Sequence, residues 1–222
     1  ITKSVFGLIL IGVFMLLIFG GLAKQYKNKN IATGFGRVLE PLVIYVRDEI
    51  ARPNIGEHKY RKFMGYLLTV FFLIWIGNLL GLTPLGFNIT GQIAVTVCLA
   101  LFTFFIVQFS GNKDYWKHIF WMPGVPYPMR IILAPIELLG VFIKPFALMI
   151  RLFANMSAGH IVIMSLIGLL FVFENWFARG AFLGLTLFLS VIELLVAFLQ
   201  AYIFTMLTAL YFGGAVAEHD HQ

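Results

Sequence analysis

Long uncharged apolar runs constrain this chain more than any other feature. Residues 4–23, 63–82 and 89–110 hold no Asp, Glu, Lys or Arg, and each has the ~20 residues that a helix needs to cross ~30 Å of hydrocarbon. Two further runs, 131–173 and 180–214, are longer still and carry a few charges inside them. With 60% hydrophobic residues, 12% charged residues, 24 Phe and a mean hydropathy of +0.92, a water-soluble globule would have to expose much of its apolar surface. The bilayer is therefore the solvent, and a soluble enzyme or a nucleic-acid binder is excluded.

The expected fold is an all-α integral membrane protein of one domain spanning residues 1–222. Its crossing helices are 4–23, 63–82, 89–110, 131–173 and 179–213, the last two forming a long, steeply tilted hairpin. At ~1.5 Å per residue the run 180–214 reaches roughly 50 Å, well over the ~30 Å core, so a continuous helix there has to tilt. Residues 36–52 mix Val38, Leu39, Leu42, Val43, Val46 and Ile50 with Arg37, Glu40, Arg47, Asp48, Glu49 and Arg52. That pattern is too charged to cross and suits an amphipathic helix on the membrane surface. Residues 83–88 read as a short turn, and residues 111–130, with Tyr115, Trp116, Trp121, Pro123, Pro126, Tyr127 and Pro128, as an interfacial loop with aromatic anchors.

Nine of the 16 Lys and Arg fall in residues 24–62, none between the second and third runs, and three in residues 111–130. The positive-inside rule then places the N-terminus outside and, after five crossings, the C-terminus inside. The lone cysteine, Cys98, lies within an apolar run and reads as inert filler; no disulfide framework or CxxC metal site exists. The sequence starts at Ile1 rather than Met, so an N-terminal piece is expected to be missing. No 20–50-residue repeat is visible.

Ionisable groups inside the last two runs need an explanation, because a charge at the bilayer centre costs ~2.5–3.5 kcal/mol on insertion scales. Glu137, Lys144 and Arg151 are seven residues apart and share one helix stripe if Pro145 does not break the helix. For Glu137 and Lys144, nearer one end of the run, internal pairing or snorkelling and a functional role are equally open. Pairing or snorkelling is a poor account of Arg151, deep in the run and charged in any protein environment. If the two runs turn back near residues 175–177, residues whose numbers sum to about 352 are level. His160 then lies level with Glu193, and Arg151 with Gln200. Arg151 and His160 are nine residues apart, on opposite faces and ~13–14 Å apart along the axis. A His–Glu pair at one depth is suitable material for a proton relay; the competing account is a pair of structural residues satisfying one another.

The run Arg151-Leu-Phe-Ala-Asn-Met-Ser-Ala-Gly-His160, with Lys144-Pro145 before it and Gln200-Ala-Tyr-Ile-Phe after it, resembles the a subunit of rotary F-type ATP synthases. The resemblance covers essentially the whole chain and is most specific through residues 131–212. It implies a stator protein whose long helices curve against a ring of c subunits, with two offset aqueous half-channels and the family's essential arginine at Arg151. His160 and Glu193 match the outer half-channel, with Asn78 a further polar lining; Gln200 matches the glutamine beside the arginine; Glu137 and Asn155 match the inner half-channel. Some bacterial members carry the acid and the histidine in the reverse order, which still leaves one of each in the pocket. The implied partners are the c ring, peripheral-stalk b subunits, other ATP synthase subunits and membrane lipid, in an energy-transducing membrane.

No GxxxxGKS phosphate loop is present, so ATP chemistry is expected to belong to partners, and no cofactor or metal is expected in this chain. A stand-alone ion or solute transporter using the same buried charges is the main alternative, disfavoured by the missing inverted repeat. A haem-carrying subunit fails because His160 is the only histidine within a span. The His–Glu pair favours protons over sodium, although the ion-binding carboxylate itself is expected on the ring.

Overall fold

The structure is a computed structural model that describes residues 3–29, 36–82, 91–120, 127–173 and 175–216. The turn expected at 83–88, Glu174, and Trp121, Pro123 and Pro126 of the expected interfacial loop lie outside the described residues. All regular structure among the described residues is helical: α1 (Lys3–Lys29), α2 (Gly36–Tyr45), a π-helical turn (Val46–Ala51), α3 (Arg52–Ile55), α4 (Tyr60–Leu82), α5 (Ile93–Ser110), α6 (Lys113–Phe120), α7 (Tyr127–Val172) and α8 (Trp176–Val216). Five of these, α1, α4, α5, α7 and α8, are long and apolar enough to cross a membrane. The chain is an all-α integral membrane protein.

Helix α7 runs unbroken for 46 residues through Pro135 and Pro145. Each proline removes one backbone donor and crowds the carbonyl four residues earlier, yet the helix continues, and so the stripe through Glu137, Lys144 and Arg151 is continuous. Helix α8 has 41 residues. At ~1.5 Å per residue both helices exceed the ~30 Å hydrocarbon core about twofold.

The core is the seam between α4 and α8. From α4, Phe63, Leu67, Val70, Phe71, Phe72 and Ile74 are buried, and from α8 Ala197, Ala201, Phe204, Thr205, Thr208, Ala209, Phe212 and Ala215. Spaced three and four apart, the α8 residues form one face. Most are small, which lets two backbones approach closely where lipid gives no hydrophobic drive between helices. Phe63 stacks on Phe212 with ring centroids 4.5 Å apart. The Tyr66 and Thr103 hydroxyls share a 2.8 Å hydrogen bond that ties α4 to α5. Helix α1 packs on α4 through Ile11 and Met15, and Phe19 meets the Phe72 ring edge-on at 5.0 Å.

The charged segment 36–55 turns its apolar residues toward this seam. Val46, Ile50 and Ala51 are fully buried, and the π-helical turn and α3 pack against α8. Its charges stay outside: the Arg47 guanidinium donates to the Asp48 carboxylate at 2.9 and 3.0 Å, and Arg52 adds a 3.1 Å contact. The hydrogen bonds from Arg47 hold the Asp48 carboxyl below its ordinary range. Exposed pairs of this kind add little stability. Tighter is the approach of α8 to α3, where a Cβ added at Gly213 would collide with the Asn54 carbonyl.

Backbone cannot move aside as a side-chain tip can, so Gly213→Ala is expected to lower stability by about 1–3 kcal/mol through overpacking. Gly214→Ala, at a position with nothing within 4 Å, is the matched control. Thermal unfolding of the two variants in the same detergent checks this: a clear fall for Gly213→Ala and almost none for Gly214→Ala.

Candidate functional site

The site is built along α7 and α8, with α4 behind it. On α7, Leu148 and Leu152 are buried at 1% and 0% exposure, and they anchor the turn that carries Arg151. Arg151 itself is exposed. Its neighbours on the open side are apolar, with Phe146 59% and Ile150 56% exposed. Among the described residues Arg151 has no hydrogen-bond or ion-pair partner.

One turn onward, the Asn155 amide donates to the Gln200 side-chain carbonyl at 3.1 Å. Gln200 is 3% exposed, and its own amide nitrogen is buried without a partner among the described residues. A further turn along α7, Gly159 faces Glu193, whose carboxyl carbon would lie 2.9 Å from a Cβ placed there. The numbers 159 and 193 sum to 352, the register expected of the hairpin. Asn155, rather than Arg151, is the residue that meets Gln200.

Glu193 is 9% exposed, and neither carboxyl oxygen has a hydrogen-bond partner among the described residues. His160 is half-buried on the adjoining turn of α7, close enough for its charge to act on Glu193 but not hydrogen-bonded to it. From behind, Asn78 of α4 is buried and donates its amide to the Ala197 carbonyl at 3.3 Å, one turn from Glu193. His160 and Glu193 thus lie at one level and Asn155 and Gln200 at another, with Asn78 against Ala197 between them.

Glu137 lies apart, half-buried on α7 near the α6 residue Tyr115. Burial pushes the Tyr115 phenol up, the Gln108 hydrogen bond opposes this, and the Glu137 carboxylate adds to it. Lys144 places its ammonium 5.4 Å from the centre of the Tyr211 ring, a cation–π contact across the hairpin. It also lines a small cavity of about 20 Å³ with Thr103, Gln108, Tyr115 and Tyr211. The Gln108 side-chain oxygen Oε1 is buried there without a partner among the described residues, and the volume suits about one water. Sequence reasoning missed Thr103, Gln108, Tyr211 and Gly159; the polar Thr103 and Gln108 within an uncharged run were the available signal. No group of three metal-ligating side chains occurs among the described residues.

Fold and site define a class: a polytopic helical membrane protein with polar and ionisable groups gathered on two long neighbouring helices. The model of the ATP synthase A chain family matches residues 5–213, and the chain belongs to that family. It is 46% identical to ATP synthase subunit a of Chloroherpeton thalassium over 230 residues, covering 100% of this chain and 68% of the relative. It is 45% identical to ATP synthase subunit a 2 of Chlorobaculum tepidum, covering 99% of this chain and 64% of that protein. ATP synthase subunit a of Chlorobium phaeobacteroides strain BS1 is 44% identical, with 100% and 68% covered. The chain spans about two thirds of the length of these relatives.

The Asn155–Gln200 hydrogen bond joins the two helices at mid-length, so a double-mutant cycle with Asn155→Ala and Gln200→Ala should return a coupling of about 0.5–1.5 kcal/mol. Thermal stability of the four proteins measures it. Additive effects would mean that the two amides do not meet.

Proposed function

We propose that this chain is the stator ion-channel subunit of an F-type ATP synthase, in which Arg151 faces the ion-carrying carboxylate of a rotating c ring. The observation that carries this is the exposure of Arg151, a permanent cation on an apolar helix face without a partner among the described residues. In lipid such a group is costly; opposite an anion supplied by another subunit it is stabilised.

The mechanism follows from electrostatics. A ring carboxylate turned to lipid has to be neutral, since hydrocarbon disfavours the anion. Opposite Arg151 the ionised form is favoured, and the carboxyl releases its proton toward the inner side, along Glu137; Asn155, bonded to Gln200 one turn beyond Arg151, belongs with the outer path. A proton entering from the outer side by way of His160 and Glu193, with Asn78 and Gln200 lining the path, then neutralises the next ring site, which rotates into lipid. Arg151 bars a direct path between the two half-channels. The transmembrane potential supplies ~2.3 kcal/mol per charge per 100 mV.

The distribution of Lys and Arg supports an outer N-terminus and an inner C-terminus in an energy-transducing membrane. Peripheral-stalk b subunits and the other ATP synthase subunits complete the assembly, and nucleotide chemistry lies with them.

Arg151→Ala in the assembled complex is expected to abolish proton-driven ATP synthesis and to leave the membrane sector passively leaky. Arg151→Lys should also lose coupling, because an ammonium lacks the planar fork and can deprotonate. ATP synthesis and passive proton flux in reconstituted vesicles measure both, and near-normal synthesis by Arg151→Ala would refute the assignment.

For the outer path, His160→Ala and Glu193→Gln should each slow proton entry, and the exchange His160→Glu with Glu193→His should recover activity relative to either. Gly159→Ala meets only the tip of a flexible side chain; it should assemble normally yet slow transport by displacing the Glu193 carboxyl. Proton-pumping rate against outer pH decides. An apolar double replacement of His160 and Glu193 that pumps like the parent would make them packing residues.

A further inference from the structure

A second polar feature lies away from the α7–α8 site, where α4 begins and α5 and α8 end. There a cavity of about 300 Å³ is lined by His58, Lys59, Lys62, Phe63, Ser110 and Asn112. Three potential cations, a hydroxyl and a carboxamide surround it, with one aromatic ring at its inner edge. No carboxylate lines it among the described residues; Glu57, next in sequence to His58, is exposed and does not take part.

The site is held in place by the last turn of α8. Lys59 donates to the Val216 carbonyl at 3.1 Å, and the Asn112 side-chain amide donates to the same oxygen at 3.3 Å. The Asn112 backbone N–H donates to the Ala215 carbonyl at 3.0 Å. These bonds satisfy the carbonyls that a helix C-terminus leaves open, and they fix the lysine stem and the carboxamide at the cavity rim. Lys62 is exposed, with its ammonium 5.7 Å from the centre of the Phe63 ring.

Depth selects the ligand. Apolar helices end here, so the cavity opens where lipid headgroups lie, and the flanking connectors carry most of the Lys and Arg of the chain. Basic pockets between transmembrane helices at such a boundary suit the phosphate of an acidic lipid, and the volume falls at the lower end of ordinary ligand pockets. We propose that this cavity binds a phosphate-ester anion, that of an anionic membrane lipid, with its glycerol against Phe63. The chemistry shared with free phosphate is the anion; the apolar floor and the boundary position favour the lipid.

Photo-crosslinking in the whole complex, reconstituted in vesicles, tests this with two probes of identical acyl chains, phosphatidylglycerol and phosphatidylcholine. The anionic phosphatidylglycerol should label residues 58–62 and 110–112 several-fold more than the zwitterionic phosphatidylcholine. Lys62→Gln should weaken that labelling roughly fivefold, the loss of one cation near the membrane surface. Lys117→Gln removes an exposed charge from α6, outside the cavity, and should leave labelling unchanged. Excess inorganic phosphate separates the sources: persistence of the label supports the lipid, and its displacement supports the anion site with a soluble occupant. Equal labelling by both lipids, or labelling insensitive to Lys62→Gln, overturns the proposal.

Discussion

Close packing of α8 on α4 is the constraint on which the rest of the structure depends. In a bilayer no hydrophobic gain rewards one helix for touching another, so contact has to come from shape and from polar satisfaction. Alanines and threonines on one face of α8 let α4 approach, and the aromatic residues Phe63, Phe71, Phe72 and Phe212 fill the space beside them. At its end, α8 is fixed twice more, by the Gly213 approach to the Asn54 carbonyl and by the Lys59 and Asn112 bonds to its last turn. Glu193 and Gln200 are buried because they ride on that fixed helix.

What α8 offers, α7 completes. The Asn155–Gln200 hydrogen bond and the glycine opposite Glu193 bring α7 within touching distance without closing the interface with large side chains. A larger residue at position 159 would occupy the space that the Glu193 carboxyl now takes. The pocket therefore depends on an absent side chain as much as on those present. Its polar atoms are only partly satisfied within the chain, since both Glu193 oxygens and the Gln200 amide nitrogen have no partner among the described residues. Buried polar groups are normally paired, and a proton path is one circumstance in which groups that exchange partners are useful.

Much of this was legible in the sequence because hydropathy and chain length fix which segments can span. The hairpin register also followed from simple depth arithmetic, which Gly159 opposite Glu193 satisfies, while Gln200 meets Asn155, one turn from the expected Arg151. Illegible were the faces. Inside a membrane the lipid-facing and protein-facing sides of a helix are both apolar, so periodicity does not separate buried Leu148 and Leu152 from exposed Phe146 and Ile150. For the same reason the partnership of Lys144 with Tyr211 was not visible, since no pattern rule pairs residues 67 apart. Residues 36–55 show another limit: a charged amphipathic pattern marks an apolar face, but not whether lipid or α8 covers it. In this chain Val46, Ile50 and Ala51 are covered by protein.

The two cations of α7 sharpen what sequence spacing can and cannot separate. Lys144 and Arg151 are seven residues apart on one continuous helix, and by position alone the same explanation would serve both. Their surroundings differ. Lys144 is half-buried, lies over the Tyr211 ring, and lines a water-sized cavity with Gln108 and Tyr115, so its charge is answered within the chain. Arg151 is exposed, close enough for its charge to act on the Tyr211 hydroxyl but without a hydrogen-bond or ion-pair partner among the described residues. A flexible ammonium suits the first position, where it can settle against a ring and a water. A rigid guanidinium that keeps its charge suits the second, where the proposed function has an anion arrive and depart. That division of one helix stripe, with one charge answered within the chain and one left open to another subunit, is the physical basis for proposing that Arg151 acts between subunits.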